Sequence, residues 1–148
     1  MAGVRFQAVT SEVATGTAIK TILQIVAATN QRVLIDEIAI SFKGTSPTDA
    51  PIWLRVLRQT TAGTMSALTP VKNNNGDDET LQTTAQHTAT AEPTAGDVLM
   101  AQEIHPQTGY TWQAPFGRQI VVKGGGRLGI EVTAGVGVNC LARVMGEE

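Results

Sequence analysis

Between residues 118 and 144 apolar and polar side chains alternate with a period of two, in the stretch RQIVVKGGGRLGIEVTAGVGVNCLARV. Leu128, Ile130 and Val132 fall on one face and Arg127, Glu131 and Thr133 on the other. Val136, Val138, Cys140, Ala142 and Val144 repeat the pattern against Asn139 and Arg143. This is a strand period, not a helical one. A short apolar run, 119–122, precedes it, and glycine turns at 124–126 and 135–137 separate the pieces. The pattern predicts strands joined hairpin-fashion, each apolar on one face only. Such a face has to be covered by a second layer, which points to an antiparallel β-sandwich.

The rest of the chain is read the same way. Residues 4–9 alternate as a short edge strand. In 18–28, Ala18, Ile22, Ile25 and Val26 fall at helical spacing, but Ile19, Thr21, Ile22, Ile25 and Val26 are β-branched and no capping residue opens the segment, so a strand is expected. Residues 32–43 form the longest strand, with Leu34, Ile38, Ile40 and Phe42 opposite Glu37, Ala39 and Ser41, and Asp36 out of pattern. The prolines and glycine of 44–51 require a loop. In 52–59, Ile52, Leu54 and Val56 oppose Trp53, Arg55 and Leu57. Apolar residues on both faces mark a central strand or one that meets a partner.

The pattern dissolves over 60–79, where Met65, Leu68 and Val71 are the only large apolar anchors and 73–79 is turn chemistry. A long structureless run in a compact domain reads as a partner-ordered loop. Residues 83–91 are extended, 92–96 turn, and 98–105 form a strand stopped by Pro106. Tyr110, Trp112 and Phe116 gather just before the glycine-rich stretch. The chain therefore predicts one all-β domain over 1–148, an antiparallel sandwich of jelly-roll or Greek-key type with eight to ten short strands. Residues 1–17 and 60–82 are expected as extended arms.

At 148 residues such a domain buries roughly 70% of the surface of its unfolded chain. Charged residues are only 16% of the chain, against roughly 25% in ordinary soluble domains; that surface suits packing against other proteins. The net charge of -2 and scattered Lys and Arg leave no basic stripe for nucleic acid or an anionic membrane. No uncharged apolar window is long enough to span a bilayer, and the first residues lack the apolar core of an export signal, so synthesis and assembly in a cytoplasm are expected. The single cysteine, Cys140, permits no internal disulfide and reads as a small buried hydrophobe.

Few residues suggest chemistry. Gly124-Gly125-Gly126-Arg127-Leu128-Gly129 fits the spacing of a dinucleotide fingerprint, but that device needs a helix N-terminus after the glycines, and a strand pattern follows. Asp77, Asp78 and Glu79 offer hard oxygen ligands without the ordered spacing of a calcium loop. His87 and His105, separated by a turn that pairs their strands, lack a third zinc ligand, and His87 has no oriented nucleophile. Trp53, Tyr110, Trp112 and Phe116 read as core or interface anchors before a sugar-stacking platform. No cofactor, metal or catalytic set is expected, and the chain is not read as an enzyme.

Three phrases, LIDEIAISFKGTSPTDAPIWLRVLRQTTAGTMSALTP, TTAQHTATAEPTAGDVL and EIHPQTGYTWQAPFGRQIVVKGGGRLGIEVTA, resemble the trimeric, jelly-roll-like capsid decoration proteins of tailed bacteriophages, including thermophilic ones. The resemblance spans residues 18–142. It implies a homotrimer on the outer surface of the expanded head, holding neighbouring major capsid proteins together, with no nucleic acid or membrane partner. Under it, Trp53, Arg55 and Leu57 are expected in the subunit contact, and Val4, Phe6, Met65, Leu68 and Val71 against the capsid floor. A tail-associated or receptor-binding module for carbohydrate is the alternative that the aromatics allow.

Overall fold

The computed structural model describes residues 3–43 and 50–148; residues 1 and 2 and most of the expected 44–51 loop lie outside the described residues. Among these residues there are thirteen strands and no helix. In chain order they are β1 (Arg5–Val9), β2 (Val13–Ala14), β3 (Lys20–Val26), β4 (Val33–Lys43), β5 (Ile52–Gln59), β6 (Thr64–Leu68) and β7 (Val71–Lys72). Then follow β8 (Thr84–Ala91), β9 (Ala95–Ile104), β10 (Tyr110–Gln113), β11 (Ile120–Val122), β12 (Arg127–Thr133) and β13 (Asn139–Glu147). The ambiguous 18–28 segment is a strand, as its β-branched residues require.

The strands form two antiparallel sheets. The first runs β10-β4-β13-β1-β7, with β11 also on β4 and β2 also on β13; the second runs β6-β8-β3-β12-β5-β9. With β2, β6, β7, β8 and β11 set aside, β1-β13-β4-β10 faces β3-β12-β5-β9, which is the strand order of a jelly roll. The total exceeds the expected eight to ten because short pieces pair where the sequence shows no alternation. Residues 60–82 are the main case: they are not one free arm, since β6 pairs with β8 and β7 with β1.

The core lies between the sheets and draws on both. Phe6, Ile35, Ile38, Cys140 and Val144 of the first sheet meet Leu23, Ile25, Leu54, Val56, Leu128 and Ile130 of the second, all at most 1% exposed. The alternation of β12 and β13 thus points inward as expected. Val136 does not join it: it stands 54% exposed in the loop before β13 begins.

The glycine turns do not close hairpins. β11 and β13 belong to the first sheet and β12 to the second, so each turn carries the chain from one layer to the other. At the first, Gly125 has φ +73°, and its N–H is shared between the carbonyls of Ala27 and Ala28. A Cβ on Gly124 would lie 2.5 Å from the Thr29 carbonyl oxygen. Glycine is needed there by close backbone approach, not by hairpin geometry.

The far face of the second sheet is also partly closed. Gln24 and Gln59 are 0% and 4% exposed and Thr21 is 0% exposed, although alternation places Gln24 and Gly129 away from the core. The segments leading out of β5 and into β9 cover them. Thr60 and Thr94 are bonded through their backbones, the Thr61 carbonyl accepts from Gln24, and the Glu92 carboxylate accepts from the Thr21 N–H and hydroxyl. Gln24 Nε2 donates to Gln59 Oε1 at 2.6 Å and Gln59 Nε2 to Thr21 Oγ1 at 3.0 Å. A buried amide layer of this kind is tolerated because its members are bonded to one another.

Candidate interaction face

Among the described residues, one edge of the second sheet is left open. β9 pairs with β5 along one side only, and of its ten residues only Met100 and Ile104 are not exposed. Val98 is 46% and Leu99 39% exposed, so the strand presents apolar surface beside its open edge. An unpaired row of backbone N–H and C=O groups flanked by apolar side chains is a template for another chain. Asp97 and Glu103 put charge near the two ends, and register shifts opposite Leu57 bend the pairing with β5. From the first sheet β10 reaches β9, with the Tyr110 hydroxyl 3.9 Å from the Met100 sulfur.

Beside this edge, on the outer face of β5, stand two of the residues expected in a subunit contact. Trp53 is 38% exposed, and the Arg55 guanidinium lies 4.8 Å from its ring centroid. Arg55 also pairs with Glu131 of β12, which is 5% exposed. The pair and the ring hold the guanidinium from two sides, so this patch is pre-ordered. Leu57, the third expected contact, is fully buried without belonging to the cluster between the sheets, and it offers no surface in this chain.

The residues expected against a capsid floor gather on the opposite edge. β7 pairs with β1, bringing Val71 opposite Gln7, and β6 precedes β7 by two residues. Val71 is 60% exposed, while Val4, Met65 and Leu68 are half-buried. Phe6 is 0% exposed because its ring points inward from β1 into the core, so it is not a surface contact of the folded chain.

The remaining candidates do not assemble into chemistry. β8 and β9 do not pair, because β3, β12 and β5 lie between them, so His87 and His105 are held apart. His87 Nδ1 is 2.9 Å from the Thr88 hydroxyl, and His105 Nδ1 accepts from the Gln107 N–H. No group of three or more His, Cys, Asp or Glu among the described residues is arranged to hold a metal ion. The glycines of 124–126 lead into β12, not a helix. Cys140 is 1% exposed, and burial pushes its thiol up to about 12. The four aromatics do not share a platform: Tyr110 and Trp112 pack against the core, Trp53 stands on the other sheet, and Phe116 occupies a turn.

Sequence reasoning missed three surface features. The exposure of Val98 and Leu99 was hidden because their strand alternates like any other. Phe116 is fully exposed at the tip of a turn in which the Arg118 N–H reaches the Pro115 carbonyl and Gly117 has φ +71°. Pro-Phe-Gly was the available signal, since a glycine at the third position of a turn suits that conformation. The third is a cleft of about 820 Å³ between β5, the start of β9 and the 123–126 turn, lined by Arg58, Lys123, Arg127 and Asp97. Its cations come from distant parts of the chain and leave no local motif.

Compared with known protein families, curated proteins and solved structures, the chain matches none.

Proposed function

We propose that this chain is a structural protein of a tailed-phage particle, a decoration protein that binds the outer surface of the expanded head as a homotrimer and ties neighbouring major capsid proteins together. The observation that carries the reading is the β9 edge, ten residues long, open along one side among the described residues and carrying exposed Val98 and Leu99, beside the pre-ordered Trp53–Arg55 patch. A free edge of that composition is a hazard for a chain that works alone and an asset for one that assembles. The jelly-roll strand order and the low charge density agree with the resemblance that the sequence carries. The exposed Val71 and half-buried Met65 and Leu68 on the far edge supply a second apolar surface for the lattice.

Stabilisation then works by linkage. A protein that binds only the expanded lattice adds about 2.7 kcal/mol per site at a hundredfold excess over its dissociation constant. Repetition over the shell, with three attachment points per trimer, multiplies the effect. The test is the mass of the purified protein by sedimentation, alone and mixed with expanded heads stripped of accessory proteins. The expected result is a trimer that co-sediments with heads and raises their melting temperature. A protein that leaves head stability and sedimentation unchanged overturns the reading.

A further inference from the structure

The 820 Å³ cleft at the β9 end of the sandwich is electrostatically uncompensated. Arg58, Lys123 and Arg127 line it with Asp97 as the only lining carboxylate among the described residues, in a chain whose net charge is -2. None of the three cations forms an ion pair with a described carboxylate. Two are held in place: Arg58 donates to the Val121 carbonyl at 2.9 Å and Arg127 to Gln24 Oε1 at 3.2 Å. Each guanidinium keeps further N–H donors beyond that anchoring bond, and anchored cations bind an anion with little loss of side-chain freedom. Lys123 is exposed, and its ammonium forms no ion pair among the described residues.

The chain's complementary surface lies on the other edge. Between β7 and β8, Asp77, Asp78 and Glu79 form an acidic turn, and the Asp78 and Glu79 side chains are exposed. Lys72 shapes it by donating to the backbone carbonyls of Asp77 and Glu79 at 2.6 and 3.1 Å, so the carboxylates of Asp78 and Glu79 stay free to face outward. The turn follows β7, at the far end of the first sheet from β10, and β6 ends the second sheet at the far end from β9. The acidic turn and the basic cleft of one molecule therefore lie beside strands at opposite ends of the strand order.

We propose that the cleft lined by Arg58, Lys123 and Arg127 receives the Asp77–Asp78–Glu79 turn of a second copy of this chain, so that copies join head to tail. Each cleft leaves two positive charges unbalanced and each turn two negative ones once Asp97 and Lys72 are set against them, so the contact is neutral overall. The open backbone edge of β9 begins at the cleft, since Gly96 and Asp97 line it, and the open edge of β6 precedes the turn. The same approach brings these edges toward each other. A contact between two different surfaces of identical chains closes into a ring when its rotation allows, which is how a trimer is built from one kind of interface. This inference rests on the self-association in the reading above and assigns it a surface.

Charge reversal tests it on the intact chain. Lys123→Glu and Asp78→Lys each alter an exposed side chain that forms no ion pair among the described residues, and circular dichroism checks that both fold. Sedimentation equilibrium is expected to show each single variant associating at least about tenfold more weakly than the wild type. A chain carrying both reversals is expected to associate about threefold or more tightly than either single variant, because the exchanged charges at positions 123 and 78 again attract. Wild-type association weakens with added salt. A wild-type monomer, single variants that associate normally, or a double variant no better than the singles overturns the proposal. Head binding is measured separately. Variants that ignore the charge swap yet coat heads sink this contact and leave the decoration reading standing, whereas a charge-dependent oligomer that ignores heads does the reverse.

Discussion

Gln59 lies across Gly129 so closely that a Cβ on the glycine would fall 2.3 Å from the Gln59 amide carbon. On an open surface the glutamine would swing aside at small cost. Here its amide is buried and bonded both to Gln24 and to Thr21. Displacing it leaves buried donors and acceptors unpaired in a layer closed by the 60–63 and 92–94 segments. Gly129→Ala is therefore expected to lower stability by about 2–4 kcal/mol in urea denaturation. Gly135→Ala, at a glycine with open space around it, is the control and should stay within about 0.5 kcal/mol. Equal effects of the two substitutions would refute the account of Gly129.

Cys140 gives a prediction in pH. Its thiol is pushed by burial from an ordinary value of 9.0 to about 12. The folded state favours the neutral thiol, so this contribution is complete below pH 9 and is lost as pH rises from there toward about 12. Denaturation midpoints measured from pH 7 upward should fall more steeply for the wild type than for Cys140→Ala once pH passes about 9. At neutral pH the native thiol should react with a disulfide reagent only after denaturant is added. Fast labelling of the folded protein would contradict its burial.

The parts of the fold written in the sequence are those where one strand's own side chains decide its placement. β4, β12 and β13 announce their buried faces through Ile38, Ile130 and Val144, and Ile22 and Ile25 suffice to favour strand over helix in β3. What pairs with what is another matter. A glycine turn reads alike whether it closes a hairpin or crosses between layers, so the passage from β11 to β12 was misjudged. Gln24, Gln59 and Glu131 alternate as solvent-facing residues and yet are buried, because their cover comes from segments distant in sequence or from Arg55. Trp53 and Arg55 were legible as a surface pair. Leu57 was not separable from them, since the irregular pairing of β5 with β9 begins beside it and no residue type signals that shift. The basic cleft joins residues from β5 and the 123–127 stretch, and only the fold puts them together.

Glu92 ties the covering segment to β3. Its carboxylate accepts from the Thr21 N–H at 2.9 and 3.1 Å and from the Thr21 hydroxyl at 2.7 Å. Removing it leaves a buried backbone N–H and hydroxyl without their acceptor. Glu92→Ala should cost about 2–3 kcal/mol by chemical denaturation. Glu12→Ala, which breaks an ion pair with a largely exposed Lys43, should cost well under about 1 kcal/mol. If the two losses are alike, the carboxylate on Thr21 is no more than a surface contact.

Thr88 has φ +55° within β8, a conformation that a β-branched residue adopts only under constraint. β8 lies between β3 and β6, and both neighbours reach His87, at Leu23 and Ser66, immediately before the distortion. The pairing on two sides fixes His87, and the chain turns past it at the cost of strain in Thr88. Glycine removes that strain, so Thr88→Gly is expected to raise stability by about 1 kcal/mol, less whatever the hydroxyl contact with His87 Nδ1 contributes. Asn, which tolerates this region, should fall between the two. Thr88→Val keeps the branched Cβ and removes the hydroxyl, so it should be the least stable of the set. Melting temperatures ordered Gly, Asn, Thr, Val would show that backbone strain dominates at this position; a wild type more stable than Thr88→Gly would show that the His87 contact outweighs it.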